Sequence, residues 1–153
     1  MTQQDLTHID ARGRASMVDV GDKATVKRVA IADGFLVAKP DSLDRLMRGD
    51  LPKGEALAVA RVAGIQAAKR CAESIPLCHT LPLDSANIEF ERAAPDRLQV
   101  VATVRTTART GVEMEALLAT STAILTVWDM LKAIDGELLV ESIRLREKTK
   151  GHA

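Results

Sequence analysis

Apolar residues recur along this chain in two rhythms. Over residues 86–92, Ile88 and Phe90 fall on one side and Asn87, Glu89 and Glu91 on the other. Over 98–108, Leu98, Val100, Ala102 and Val104 alternate with more polar positions, and Pro95-Asp96 lies between the two runs. A period of two marks half-buried strands, so these segments predict a hairpin. Residues 138–146 predict a last strand, with Ile143 and Leu145 opposing Arg144 and Arg146. Residues 23–39 are rich in β-branched residues but interrupted by Asp33-Gly34, which predicts one bent strand or two short ones.

The helical rhythm appears three times. Residues 41–48 predict a short helix with Asp41 or Ser42 as N-cap. Residues 55–74 predict a long one whose wet face carries Gln66, Lys69, Arg70 and Glu73; its other faces are mostly Ala and Val. Gly64 in its interior costs about 1 kcal/mol against Ala, which points to close approach of another backbone. Residues 111–135 predict a second long helix, opened by the capping-box pattern Thr110-x-x-Glu113 and closed by Gly136. The order β, helix, β, β, helix, β predicts an α+β, ferredoxin-like domain: an antiparallel four-stranded sheet with two long helices on one face. The polar residues 1–22 read as an N-terminal arm, and 23–153 as a single domain.

Composition narrows the function. Twenty-one Lys and Arg balance 21 Asp and Glu, so no net positive charge supports nonspecific nucleic-acid binding. Two Phe, one Trp and no Tyr leave little for base stacking. No window approaches the roughly 20 apolar residues of a membrane span. The polar start lacks a signal-peptide pattern, so the expected location is the cytoplasm, with Cys71 and Cys78 as reduced thiols.

The charges at the two ends of the 111–135 helix require a reason, because ALLATSTAILTV between them is core material. A capping role accounts for Glu113 but not for Glu115, and on a helix the two carboxylates point about 200° apart. Asp129 and Lys132, spaced i, i+3, form either a surface ion pair worth a few tenths of a kcal/mol or part of a site. Glu115 and Asp129 are separated by about 21 Å of helix. If both are catalytic, a second copy of the chain must supply one of them. Pro76-Leu77-Cys78-His79 is a rigid loop; His79 suits proton transfer or phosphate contact, and Cys78 with His79 alone is a weak metal signal. Lys53, before a helix, suits phosphate binding, although no P-loop is present. Lys69 lies on the wet face of its helix, and Arg105 and Arg109 are individually uninformative.

Met17-Val18-Asp19-Val20, Lys53-Gly54, GIQAAKR (64–70), IPLCH (75–79), TGVEMEAL (110–117) and WDMLKA (128–133) together resemble the molybdenum cofactor biosynthesis protein C family, the cyclic pyranopterin monophosphate synthases. The resemblance is collinear from about residue 6 to 148. It implies a ferredoxin-like catalytic subunit in a homohexamer, a trimer of dimers with sites at subunit interfaces. It implies a lyase that converts cyclised dihydro-GTP to cyclic pyranopterin monophosphate and pyrophosphate in molybdopterin biosynthesis. The implied catalytic residues are Lys53, His79, Glu113, Glu115, Asp129 and Lys132. The implied substrate contacts are Leu77, Cys78, His79, Met114, Glu115, Lys69, Lys148 and Arg28, with Lys150 and Lys27 as alternates for the last two. No metal site or required cofactor is implied, though Mg²⁺ can accompany the triphosphate. The chain departs from the pattern at Glu55, where many members carry Asp, and in its tail, which lacks their glycine-rich loop. The competing readings are a nucleotide- or pterin-binding regulatory module without turnover, and a metal-dependent hydrolase built on Cys78 and His79.

Overall fold

The structure, a computed structural model, describes residues 8–151; residues 1–7 of the expected arm and the last two, His152 and Ala153, lie outside it. The elements are β1 (Val26–Val37), α1 (Pro40–Arg48), α2 (Ala56–Lys69), α3 (Cys71–Ser74), β2 (Ser85–Ala94), β3 (Arg97–Ala108), α4 (Glu113–Leu131) and β4 (Leu139–Lys150). The four strands form one antiparallel sheet in the order β2-β3-β1-β4. The fold is therefore α+β, as the alternation of periods predicts.

β1 runs unbroken through Asp33-Gly34. The interruption shows instead in its pairing with β4, which slips between Ile31 and Ala32 and again between Asp33 and Phe35. Asp33 is fully buried there, which is tolerable because Gln99 Nε2 donates to its carboxylate at 2.8 Å and Arg144 Nε at 3.1 Å.

Helix ends depart from the sequence reading, because their partners come from distant parts of the chain. The 55–74 helix is broken at Arg70 (φ −114°, ψ 21°), which separates α2 from α3. α1 starts with Pro40 after Lys39, not with Asp41 or Ser42 as cap. Asp135 serves the purpose from beyond α4, accepting from the Lys39 N–H at 2.8 Å. Burial pushes the Asp135 carboxyl up, but hydrogen bonds from Glu137, Lys39 and Ser42 outweigh it and hold the group below its usual range. The capping box does not form: α4 begins at Glu113 after Val112, with no side-chain cap. Gly136 does not close α4 either; the helix ends at Leu131, with Lys132 still in a right-handed conformation.

The core lies between sheet and helices. Ala32, Leu36, Ile88, Leu98, Val100 and Val104 meet Ala60 and Ala68 of α2 and Ala116, Ala119, Ala123, Ile124 and Val127 of α4, all buried. α4 packs against β1, β3, β4 and α2. It is also the one described helix long and apolar enough to cross a membrane, contrary to the expectation that no segment reaches that length; packing against sheet and partner helix buries half of it instead.

Gly64 is where α2 and α4 touch. A Cβ there would lie 3.0 Å from the Ala119 carbonyl oxygen and 3.1 Å from Ile88. Gly64→Ala gains about 1 kcal/mol of helix propensity but incurs about 1–3 kcal/mol of overpacking against a backbone that cannot yield. The expected result is a net loss of roughly 1 kcal/mol, read as a lower urea midpoint at unchanged slope. A higher midpoint would show the helices free to separate.

Candidate functional site

At the N-terminal end of α4, the loop after α3, the turn before α4 and the N-terminal arm enclose a cavity of about 300 Å³. Leu77, Cys78, His79 and Leu81 line it from the loop, Thr110, Gly111, Glu113, Met114 and Glu115 from the α4 start, and His8, Val18 and Val20 from the arm, with Lys23 just after it. The loop is short and bounded by prolines, so it presents its side chains with little freedom. His79 Nε2 lies 2.7 Å from the Val18 carbonyl oxygen. A carbonyl only accepts, so Nε2 carries the hydrogen, and Nδ1 is left to accept a proton in the neutral ring. A second cavity of about 90 Å³ shares His79, Leu81 and Glu115 and adds Lys69, Arg70, Cys71 and Glu73. A third, of about 160 Å³, lies behind Glu113 and is lined by Arg28, Gly111, Val112, Lys148 and Lys150.

Electrostatics distinguish the two glutamates. Glu115 is buried, and burial followed by repulsion from Glu113 raises its carboxyl above the ordinary value of 4.5. Glu113 is half-buried and paired with Lys148 Nζ at 3.3 Å. Its carboxylate folds back over Gly111, where any Cβ would collide with it; only glycine permits this arrangement. Arg28 donates to the carbonyls of Ala108 and Arg109 at 3.2 and 3.0 Å and so fixes the turn that leads into α4.

The raised Glu115 carboxyl makes a stability prediction. Its folded-state value exceeds its unfolded one, so its favourable protonated state is fully present below pH 4.5 and lost as pH rises through the higher folded value. Glu115→Gln removes that loss. The melting temperature of the variant should exceed the wild type's at pH 7, and the gap should shrink toward pH 4, while activity falls. A gap independent of pH, measured by differential scanning calorimetry, would rule out ionisation as its cause.

At the opposite end of α4 a second polar centre forms. Lys53 Nζ donates to the Asp129 carbonyl at 2.9 Å and to its carboxylate at 3.0 Å, and Lys132 Nζ approaches the other carboxylate oxygen at 2.6 Å. The hydrogen bond from Lys132, then that from Lys53, holds the Asp129 carboxyl below its usual range. All three side chains are exposed, about half in the case of Asp129. Such a triad is solvated as it stands, and a group packed over it would strengthen every interaction within it.

One chain thus brings together His79, Glu113, Glu115, Leu77, Cys78 and Met114, with Lys69, Lys148 and Arg28 in adjoining cavities. It does not bring Lys53, Asp129 and Lys132 to them: the continuous helix Glu113–Leu131 separates the two groups by about 21 Å. The sequence reading recognised the arm but gave it no place in the site. His8, Val18, Val20 and Lys23 line the main cavity, and only the short apolar pair Val18 and Val20 in a polar stretch hints at an anchored segment. Among the described residues, no three His, Cys, Asp or Glu side chains converge as metal ligands.

Comparison with known proteins bears on the whole of this arrangement. The MoaC family matches residues 17–151. A protein of Herpetosiphon aurantiacus named cyclic pyranopterin monophosphate synthase is 55% identical over 95% of this chain and 90% of its own length. Proteins of the same name from Chloroflexus aurantiacus and Corynebacterium efficiens are 54% and 52% identical, over 97% and 96% of this chain and 92% and 94% of their own. With the family match running from Met17 in the arm through both ends of α4 to the C-terminal strand, the chain belongs to the MoaC family.

Proposed function

We propose that this chain is a cyclic pyranopterin monophosphate synthase: a lyase that converts (8S)-3',8-cyclo-7,8-dihydroguanosine 5'-triphosphate to cyclic pyranopterin monophosphate and releases pyrophosphate. The observation that carries this reading is the identity of more than half the chain, end to end, with proteins of that name. The site chemistry agrees. A triphosphate that leaves as pyrophosphate requires cations, and Lys69, Lys148 and Arg28 border the cavities around Glu113 and Glu115. Rebuilding the ring system requires proton transfers, for which a buried carboxyl with a raised value and a histidine with a free Nδ1 are suited. Incubation with the cyclised dihydro-GTP should yield pyrophosphate and the pyranopterin; binding without turnover would favour a regulatory module instead.

The active unit in this reading is a homohexamer, a trimer of dimers. Each site takes the His79–Glu113–Glu115 half from one chain and the Lys53–Asp129–Lys132 half from another. Its support is the length of α4, together with exposed apolar positions on the outer faces of both long helices: Val59, Val62 and Leu125, each about half exposed. The subunit is ferredoxin-like, on the support of the strand order and the α2–α4 pairing, with residues 1–22 as an arm on a single catalytic domain. No cofactor or metal is required, Mg²⁺ can travel with the triphosphate, neither nucleic acid nor membrane is a partner, and the setting is the cytoplasm.

A further inference from the structure

β4 is an edge strand paired with β1 alone, so that pairing decides which of its residues meet the candidate site. An edge strand can slide, and a slip of one residue turns every side chain to the other face of the sheet. Two bulges fix where β4 lies. Ser142 and Ile143 together oppose Gly34, and Arg146 has no partner between Leu145, opposite Ala32, and Glu147, opposite Ile31. Among the described residues, Ser142 is the one non-glycine with a positive φ, 53°. Gly34 makes room for this first bulge: a Cβ there would lie 2.8 Å from Ile143 and 2.8 Å from Ile124 of α4.

Asp33 lies between the two bulges, on the face of β1 away from α4, since its neighbour Gly34 is the residue that meets Ile124. Its fully buried carboxylate takes Gln99 Nε2 at 2.8 Å, Arg144 Nε at 3.1 Å and Arg146 Nε at 3.8 Å. Arg144 is its direct partner across the ladder. One residue earlier that partner would be Ile143, which has no side-chain donor, and a buried carboxylate short of donors is costly. The far end of the strand reads the result. Lys148 pairs with the core residue Ala30 and so turns to the α4 side, where its Nζ reaches Glu113 at 3.3 Å. We propose that Asp33 is a positioning residue for the site: its hold on Arg144 and Arg146 sets the register of β4 and thereby places Lys148 beside Glu113.

The start of β4 is held independently of Asp33. Leu138 is buried just before it, and Arg97 Nη2 pairs with Glu141 at 2.8 Å. Loss of the first bulge is therefore carried to the C-terminal end of the strand. Lys148 moves by one residue, about 3.4 Å, to a place opposite Val29, and its side chain leaves the α4 side. Thr149, which carries no charge, turns to that side instead. Each bulge inserts one residue, so only the pair together keeps both ends of β4 in phase with the core. Two arginines on one buried carboxylate thus act on a lysine that touches neither of them.

The effect on turnover rests on the proposed synthase reading and its use of Lys148; the register does not. Val29→Cys is combined with Thr149→Cys or with Lys148→Cys, with Asp33 intact and with Asp33→Asn, and each chain is oxidised without substrate. Tryptic mapping separates the new disulfide from the native cysteines, which lie together on peptide 71–92. With Asp33 intact, position 29 should join 149 in preference to 148, whose Cβ points to the other face. Asp33→Asn should erase or reverse that preference. Asp33→Asn and Lys148→Ala should each lower kcat/KM for pyrophosphate release by about tenfold or more, the scale of one charged hydrogen bond. The double variant should fall no further than either single one, because one acts through the other. Should Asp33→Asn fail to fold, Arg144→Ala, at the solvent-exposed end of the same contact, takes its place in both assays. A preference for 149 that survives the substitution, no preference with Asp33 intact, or losses that multiply in the double variant would each overturn the proposal. An unaltered chain that releases no pyrophosphate would count against the synthase reading alone, since the disulfide is read without substrate.

Discussion

Asp129→Asn should lower kcat by about 10²–10⁴-fold with little change in stability. That is the range in which a positioned acid or base contributes to catalysis. Asparagine keeps the shape and a carbonyl oxygen for Lys53 and Lys132, but it can neither take up a proton nor hold two ammonium groups by charge. In the isolated chain the triad is exposed, so its loss should hardly register in thermal unfolding: exposed ion pairs contribute about 0–1 kcal/mol. The wild-type carboxyl lies below its usual range because of Lys132 and Lys53, so it remains ionised throughout the neutral range. A base so poorly basic is useful where the two lysines are its working partners, and Lys132→Ala should fall in the same range as Asp129→Asn. Steady-state pyrophosphate release and a thermal melt on each variant check both halves of the expectation. Near-native turnover in either would remove the triad from the chemistry.

His79→Asn should lower kcat/KM by about 10²-fold or more, the scale on which misplacement of about 1 Å acts, and should also release the arm. His79 is joined to the arm by the 2.7 Å contact with the Val18 carbonyl, and Val18, Val20, Lys23 and His8 form one wall of the cavity. The shorter asparagine cannot span that distance from the same backbone position, so the wall loses its anchor while the loop keeps its prolines. Trypsin should then cut after Arg14 and Lys23 faster than in the wild type, in the absence of substrate. If activity falls but the cleavage rate does not change, His79 acts in the chemistry and not as the arm's anchor.

Much of the fold can be read in the sequence because it depends on local patterns. Alternation at Ile88/Phe90 and at Leu98–Val104 specifies the hairpin, and each strand's buried face follows from the period of two. The Gly64 reading holds for the same reason: only a close backbone contact justifies glycine in the middle of a helix, and Ala119 supplies it. Helix ends are less legible because tertiary partners decide them. Asp135 caps α1 from 96 residues away, and Thr110-x-x-Glu113 has the letters of a capping box while its glutamate turns to Gly111 and Lys148 instead. The site is legible in part. Charges at both ends of an apolar helix single out Glu113, Glu115, Asp129 and Lys132 as candidates, since core helices exclude unpaired charge. The arm's contribution is not legible, because an irregular segment carries no periodicity.

The central claim is that α4 serves two active sites, one at each end, and subunit mixing tests it most directly. Asp129→Ala and Glu115→Ala chains, each inactive alone, are unfolded together in equal amounts and refolded, and mixed oligomers are confirmed by native mass spectrometry. With twofold-related chains exchanging halves, half of the pairs are mixed and each mixed pair holds one intact site. About a quarter of wild-type activity should therefore return. Mixed oligomers that remain inactive would contradict the account and place each complete site within a single chain.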